Sequence, residues 1–222
     1  LAVTGHAASI GISGALSFAT GDLIANLGGW QLAFLAAALT AATAWCMVAL
    51  LVPRRAAPAA KPSDGGGLFN FLPVLRNRSA MAYAIGYCVH TLEMSALRGW
   101  GVAFLGYVAA STGAGASLLA PATVMTLIGL IGVAASVSGN EMSIRLGRRR
   151  LVQLALAGSI VTALTIALVG VWSYWLAMAL LLVYGLVVWL DSSSLTAGAA
   201  GTAEPSRRGA TLAVHSSLGY AG

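Results

Sequence analysis

The sequence predicts an all-α fold, a bundle of transmembrane helices in a polytopic membrane protein. Of the 222 residues, 59% are hydrophobic and 8% are charged, whereas a soluble domain carries about 25% charged residues. Glycine, which is frequent in membrane helices, occurs 27 times. Charged side chains this sparse cannot cover a soluble globule, and disorder requires low hydrophobicity and high charge. Composition therefore excludes a soluble enzyme and a disordered chain.

Apolar stretches of about 20 residues, the length of a membrane-spanning helix, recur along the chain. Six are complete, and a seventh begins near residue 210 and runs to the last residue. The six cover residues 4–26, 30–52, 79–107, 118–139, 151–171 and 174–198. Because the seventh is cut short and the sequence has neither an initiator Met nor a signal peptide, we expect an internal piece of a longer protein.

Basic residues mark every second connection between these helices. All Lys and Arg residues except Arg98 lie in residues 53–78, 139–150 and 199–209. Positively charged loops remain in the cytoplasm, so these three loops are predicted to be cytoplasmic and the first helix to run outward. The same placement argues against a nucleic-acid partner, because the basic residues are few and scattered between apolar stretches, and the arginine-rich residues 145–150 lie against the membrane with no aromatic platform.

The longest connection, residues 53–78, has the composition of a flexible linker. It contains Pro53, Pro58, Pro62 and three consecutive glycines at 65–67, and Pro and Gly in such runs interrupt regular structure. A weak echo spans it, since residues 1–11 are similar to residues 212–219 in their Leu-Ala-Val, His, Ser and Gly order. Such an echo suggests two parallel halves of one protein.

Three features resemble one known family. Residues 140–149 read Asn-Glu-Met-Ser-Ile-Arg-Leu-Gly-Arg-Arg, which is similar to the cytoplasmic Gly-x-x-x-Asp-Arg-x-Gly-Arg-Lys/Arg loop of the major facilitator superfamily of secondary transporters. Gly28-Gly29-Trp30, with Phe34 beyond, resembles the junction of that family's fifth and sixth helices, and the linker resembles its central loop. The candidate residues of the signature loop are Asn140, Glu141, Arg145, Gly147, Arg148 and Arg149.

Two motifs depart from the family pattern. In the loop, Asn140 stands in place of the first Gly, although Gly139 is adjacent, and Ile144 in place of the Asp; in the fifth helix, Ser17-Phe18 stands where the antiporter motif has a Gly-Pro pair. The resemblance therefore identifies the superfamily, and the absent Gly-Pro pair gives no support to drug efflux by proton antiport.

The resemblance implies helices five to eleven of a twelve-helix carrier built from two pseudo-symmetric six-helix halves. Residues 1–52 would be the last two helices of the N-terminal bundle, 53–78 the cytoplasmic linker, and 79–222 four helices of the C-terminal bundle with the start of a fifth. It further implies a monomeric carrier, in a bacterial inner membrane, that moves a small organic solute or ion by alternating access. An ion or substrate gradient, with the proton as a candidate, would supply the energy.

Three charged residues lie well away from the ends of predicted spans: Glu93, Arg98 and Asp191. A charge at the membrane centre costs about 2.5–3.5 kcal/mol on insertion scales and is a functional candidate by default. His90 lies one turn before Glu93 on the same helix face, and the two suit a proton relay or a polar contact to substrate. Alternatively, they satisfy each other. If Glu93 is the coupling acid, Glu93→Gln is expected to abolish pH-gradient-driven uptake.

The other two charges each have two interpretations. Arg98 either binds an anionic substrate with its guanidinium or extends to the outer interface beside Trp100. Asp191 opens a polar run in the sixth span, and the further substrate or ion candidates there are Ser192 and Ser194. That run either contacts a solute or forms interhelical hydrogen bonds. The histidines His6 and His215 are interpreted as interfacial.

Small residues recur on one face of two predicted helices. Gly14, Ser17 and Gly21 share a face of the first helix, and Gly129, Gly132, Ser136 and Gly139 share a face of the fourth. Small residues allow helices to approach closely, and the resemblance implies that these two helices pack together. A Gly14→Cys and Gly132→Cys pair, or neighbouring pairs, is therefore expected to form a crosslink.

Cofactor and metal sites have no support in the sequence. The three histidines lie far apart, no nucleotide-binding loop or nucleophile motif occurs, and Cys46 and Cys88 are interpreted as small apolar side chains in their helices. Two alternatives to a carrier remain open at this point: a membrane-embedded enzyme that uses His90, Glu93 and Asp191, and a carrier-like receptor that does not transport.

Overall fold

The computed structural model describes residues 2–53, 70–113 and 119–221, and its regular elements in those ranges are all helical. In chain order the elements are α1 (Ala2–Leu51), α2 (Leu72–Arg76), α3 (Arg78–Ser111), α4 (Pro121–Leu146), α5 (Arg148–Val169), α6 (Tyr174–Trp189), α7 (Ser192–Thr202), a 3₁₀ turn (Pro205–Arg207) and α8 (Arg208–Tyr220). The predicted all-α transmembrane bundle is confirmed. Residues 54–69 of the predicted linker and the His6 side chain lie outside the described part.

The chain divides into two compact units, residues 19–70 and residues 1–18 with 71–222. In the smaller unit α1 loses helical geometry at Gly28 and Gly29, where φ is −149° and 74°. Glycine adopts a φ of 74° without the steric cost that a Cβ imposes. The pair therefore separates two helical stretches at the point where the sequence predicts the first connection.

The larger unit is built around α3, which contacts α4, α6, α7 and α8. Two of its helices, α3 and α6, begin at side-chain caps: Asn77 accepts a hydrogen bond from the Ala80 amide at 3.1 Å, and Ser173 accepts one from the Leu176 amide at 3.2 Å. The core between α3, α4 and α6 is formed by Leu97, Leu105, Val108, Val124, Met125, Ile128, Tyr174, Ala177 and Leu181. This packing fixes α3 against the helices that carry the polar residues.

Four stretches of the described chain are long and apolar enough to cross a membrane: Gly11–Leu51, Pro121–Leu146, Arg148–Val169 and Tyr174–Thr202. The first is 41 residues long and covers two predicted spans, because it includes the Gly28–Gly29 break. The third predicted span corresponds to α3, which has 34 residues but is less apolar, since it carries Glu93, Arg98 and several polar side chains.

Two predicted boundaries differ from the structure. Residues 139–150, predicted as a loop, continue α4 to Leu146 and begin α5 at Arg148, so that Gly147 alone connects them. Gly147 has φ 85° and ψ 131°, a left-handed conformation that favours glycine. The one-residue connection turns the chain sharply and places α4 and α5 side by side.

The second difference is a tightened turn of the predicted sixth span at Leu190 and Asp191, called the interruption below, where both residues keep right-handed helical dihedrals (φ −62°, ψ −32° and φ −96°, ψ −12°). The Leu190 amide donates to the Val187 carbonyl at 3.2 Å, three residues back, and helical bonding resumes when Leu195 donates to Asp191 at 2.9 Å. The Leu190 carbonyl oxygen lies against the backbone of α4 at Gly139, where any Cβ would collide with it. Glycine at position 139 therefore makes room for the interruption, which leaves Asp191 at the start of α7.

Candidate functional site

The interruption between α6 and α7 places Asp191 beside His90 of α3. Asp191 Oδ1 lies 3.0 Å from His90 Nδ1, and the two side chains are 3% and 4% exposed. The alignment of the two atoms is not that of a hydrogen bond, and neither atom bonds to another described group. A buried charge requires a compensating partner, so each of these groups depends electrostatically on the other.

Arg98 lies two turns further along α3 and faces the indole of Trp189, the last residue of α6. Its Cζ atom is 5.7 Å from the Trp189 ring centroid, within the range of a cation–π contact. An Nη atom of Arg98 lies 3.0 Å from the place that a Cβ on Gly14 would occupy, so glycine at position 14 makes room for the guanidinium. The opposite edge of the site is His90, whose ring lies 6.5 Å from that of Trp189 at 80°.

A stack of rings joins α3 to α8. The Tyr87 ring lies 4.1 Å from His215 and 5.8 Å from His90, with interplanar angles of 17° and 16°. His215 is 2% exposed, and its Nε2 atom lies 3.3 Å from Thr196 Oγ1. The interfacial interpretation of His215 is therefore wrong, because α8 buries this residue between α3 and α7.

These side chains surround a cavity of about 140 Å³ between α3, the interruption and α8. The lining residues are Tyr87, His90, Thr91, Met94, Ser95, Arg98, Trp189, Ser192, Gly219 and Tyr220. Three of the sequence candidates, His90, Arg98 and Ser192, line this cavity directly. Asp191 belongs to the same site through its contact with His90.

Two other candidates lie outside the cavity lining. Glu93 is directed at α5, where Ser159 Oγ donates to its Oε1 atom at 2.9 Å. His90 contacts Asp191 instead, so the structure does not contain the alternative in which His90 and Glu93 satisfy each other. Ser194 is fully buried, and its Oγ atom has no hydrogen-bond partner among the described residues. The neighbouring Ser193 contacts Ser136 of α4 at 2.6 Å, as expected for a hydroxyl that joins helices.

The signature-loop candidates gather away from this cavity, at the junction of α4 and α5. Glu141 and Arg145 form an i,i+4 ion pair at 3.2 Å with both side chains exposed, and such pairs contribute about 0.3–0.5 kcal/mol. Arg148 extends toward Gly201 of α7, with Nη1 3.8 Å from the place of a Cβ there. None of Asn140, Glu141, Arg145, Gly147, Arg148 and Arg149 lines the cavity.

The first and fourth predicted helices do meet, through Gly129 of the expected face and through residues that neighbour the other expected glycines. A Cβ on Gly129 of α4 would lie 2.8 Å from the Ala15 Cβ, and a Cβ on Gly11 would lie 2.6 Å from a Val133 methyl. Gly14 faces Arg98, Gly132 faces the Trp189 ring, and Gly21 has no neighbour within 4 Å of its Cβ position in the described structure.

A crosslinking experiment distinguishes this contact from the expected one. A Gly11→Cys and Val133→Cys pair is expected to form a disulfide on mild oxidation, since bridged Cβ atoms lie about 3.5–4.5 Å apart. The Gly14→Cys and Gly132→Cys pair is the matched control, and it is expected to remain reduced because each position faces another side chain. Mobility shifts on non-reducing gels report both, and faster crosslinking of the control would contradict the packing described here.

Comparison with known proteins adds one decisive finding. The family model described as Major Facilitator Superfamily matches residues 1–222. The chain belongs to the major facilitator superfamily. As a member of the superfamily it is an integral membrane protein from a family of transporters that bind small-molecule substrates. No curated protein and no solved structure matches this major facilitator chain.

Several lining residues of this major facilitator chain were not singled out in its sequence. Tyr87, Trp189 and Tyr220 lie in apolar stretches, where an aromatic side chain is as consistent with packing or with a membrane interface as with a site. The available signal was spacing: Tyr87, Met94 and Arg98 recur with His90 at three- and four-residue intervals, which places them along one face of α3.

Proposed function

We propose that this major facilitator protein carries a small organic solute or ion across the membrane by alternating access. The observation that supports the proposal is a cavity between membrane helices with Arg98 and His90 in its wall, since ionisable residues that line a cavity inside a membrane bundle mark substrate or ion pathways. An ion or substrate gradient supplies the energy, and the protein performs no chemical conversion of its cargo.

We propose that the chain comprises parts of two helical bundles joined by a cytoplasmic linker. Residues 1–52 are the end of an N-terminal bundle, residues 53–78 a cytoplasmic linker, and residues 79–222 most of a C-terminal bundle that rocks against the first. The loops 53–78, 139–150 and 199–209 face the cytoplasm of a bacterial cell, and the carrier works as a monomer. The basic residues of those loops support this orientation.

The buried pair of His90 and Asp191 is proposed as the coupling site for a proton. Its support is geometric: the two side chains contact each other beside the cavity, so a change in the charge of either alters the field at the solute. Glu93, which contacts Ser159 outside the cavity lining, is the second coupling candidate.

Counterflow in proteoliposomes tests the proposed transport. Vesicles that contain the complete protein, preloaded with unlabelled solute, are expected to accumulate labelled solute transiently from outside, because an alternating-access carrier exchanges one molecule for another. A panel of small organic acids, amines and neutral sugars provides the solutes, and protein-free vesicles provide the control. Saturable binding without any exchange across the panel would instead favour a receptor, and product formation would favour an enzyme.

A further inference from the structure

We propose that the cavity binds an organic monoanion, with a carboxylate at Arg98 and an apolar or aromatic body against the surrounding rings. This inference rests on the proposed function and names the class of its cargo. It begins with the charge of Arg98, which lies in the third helix of a membrane bundle and borders the cavity together with Ser95 and Ser192.

The first step is that no carboxylate of the described chain compensates Arg98. The ion pairs in that part of the structure join His90 to Asp191, Arg145 to Glu141, and Arg207 to Glu204, and Glu93 accepts from Ser159. Among the described residues, the charge-related neighbours of Arg98 are the face of Trp189 and the Tyr220 hydroxyl, and neither of them is a carboxylate. Arg98 is half-buried, and a cation inside a membrane bundle is stabilised by a counter-charge, which an anion in the cavity would supply.

The second step is geometric. A guanidinium presents its N–H groups as a planar fork that matches a carboxylate, which it binds through two parallel hydrogen bonds. The guanidinium lies at the cavity wall between the Trp189 ring and Gly14, and the missing side chain at Gly14 leaves room for it. A site held in place in this way loses little side-chain freedom when the anion arrives.

The third step concerns the size of the charge and the body of the ligand. One guanidinium balances one negative charge, while His90 and Asp191 already contact each other, so a monoanion fits better than a dianionic phosphate. The remaining wall contains the rings of Tyr87, Trp189 and Tyr220. Aromatic rings bury large apolar area and prefer ring partners in stacked or edge-to-face geometry, which favours an aromatic or apolar body.

Calorimetric titration of the purified complete protein tests this assignment. The probes are acetate, butyrate, benzoate, benzamide and phenyl phosphate. We expect saturable binding of benzoate, weaker binding of acetate, and at least about 10-fold weaker binding of the neutral isostere benzamide, because a hydrogen-bonded charge is lost. Absence of saturable binding by every carboxylate, equal binding of benzamide, or tighter binding of phenyl phosphate would each overturn the proposal.

Variants locate the anion at Arg98. Arg98→Gln is expected to weaken benzoate binding at least about 10-fold and to leave benzamide unchanged, while Arg98→Lys, which keeps the charge but not the fork, gives an intermediate loss. Arg150→Gln is the control, since Arg150 is an exposed cation at the start of α5. Unchanged benzoate binding in Arg98→Gln would contradict the proposal. If that variant does not fold, Arg98→Lys and the wild-type preference for benzoate over benzamide decide the question.

The two proposals fail in different ways. Counterflow of an amine or a sugar with no carboxylate binding would leave the carrier in place and remove the monoanion. Benzoate binding that depends on Arg98, without exchange of any solute across the vesicle membrane, would leave the monoanion site in place and remove the carrier.

Discussion

The Asp191→Asn variant is expected to reduce uptake driven by a pH gradient to the level of protein-free vesicles, while solute exchange at equal pH continues. Asn keeps the size of Asp and a carbonyl oxygen toward His90 Nδ1, which lies 3.0 Å from the carboxylate in the native chain, but it cannot take up or release a proton. The variant therefore loses the coupling of transport to the pH gradient but keeps the cavity. Tracer uptake into proteoliposomes with and without an imposed pH gradient measures both activities.

Glu93→Gln makes the same acid-to-amide change at the second coupling candidate, so that the two variants together decide which carboxylate couples transport to the pH gradient. The Glu93 carboxylate contacts Ser159 rather than the cavity, so we expect this variant to retain most of its driven uptake. The sequence alone led to the opposite expectation, that Glu93→Gln abolishes driven uptake. If Glu93→Gln lost driven uptake and Asp191→Asn kept it, Glu93 would be the coupling acid, as the sequence alone indicated. The His90–Asp191 pair would then have no part in coupling.

The second large effect is expected from Gly139→Ala. A Cβ at this position collides with the Leu190 carbonyl oxygen, and both are fixed to the backbone of packed helices, so α4 must separate from the α6–α7 interruption. Overpacking of this kind costs about 1–3 kcal/mol. Because a loss of 1 kcal/mol lowers the unfolding temperature of a chain this long by about 2–4 °C, we expect a decrease of roughly 2–12 °C in a detergent unfolding scan.

Gly106→Ala is the control for that change. Gly106 lies within α3, and a Cβ there meets nothing within 4 Å in the described structure. Since Ala is favoured over Gly inside a helix by about 0.5–1 kcal/mol, this variant is expected to unfold at the same temperature as the parent or slightly above it. Equal destabilisation by the two variants would mean that position 139 is not a close contact.

The helices could be predicted from the sequence because length and apolar composition are local properties. The break at Gly28 and Gly29 was visible for the same reason, since two adjacent glycines interrupt an otherwise apolar stretch. The interruption at Leu190 and Asp191 was not predictable, because it depends on Gly139 approaching from another helix. Likewise, the small residues of α4 could be identified from the sequence. Their neighbours Trp189 and Leu190 could not, because tertiary packing brings them to Gly132 and Gly139.

The charged residues of the candidate site could be predicted from the sequence. A charged side chain in an apolar span stands out by its transfer cost, which identified Arg98 and Asp191. The pairing did not follow, because His90 and Glu93 are neighbours along α3 while their contacts are with Asp191 and Ser159 on other helices. His215 was misassigned for the same reason, since its burial depends on the position of α8 beside Tyr87.

Accessibility of a cysteine in the cavity tests the central claim, a solute site that opens alternately to both sides. Ser95 lines the cavity, so Ser95→Cys is introduced after Cys46 and Cys88, the free cysteines of the described chain, are replaced by Ser. Ser138→Cys, exposed on the surface of α4 and outside the cavity lining, is the matched control.

Both variants are treated with a membrane-impermeant thiol reagent from each side of the vesicle. We predict labelling of Ser95→Cys from both sides, with the two rates changing in opposite directions when solute is added, whereas Ser138→Cys, which adjoins cytoplasmic residues 139–150, is labelled from one side only and without an effect of solute. Labelling of Ser95→Cys from one side only, with or without solute, would contradict alternating access at this cavity.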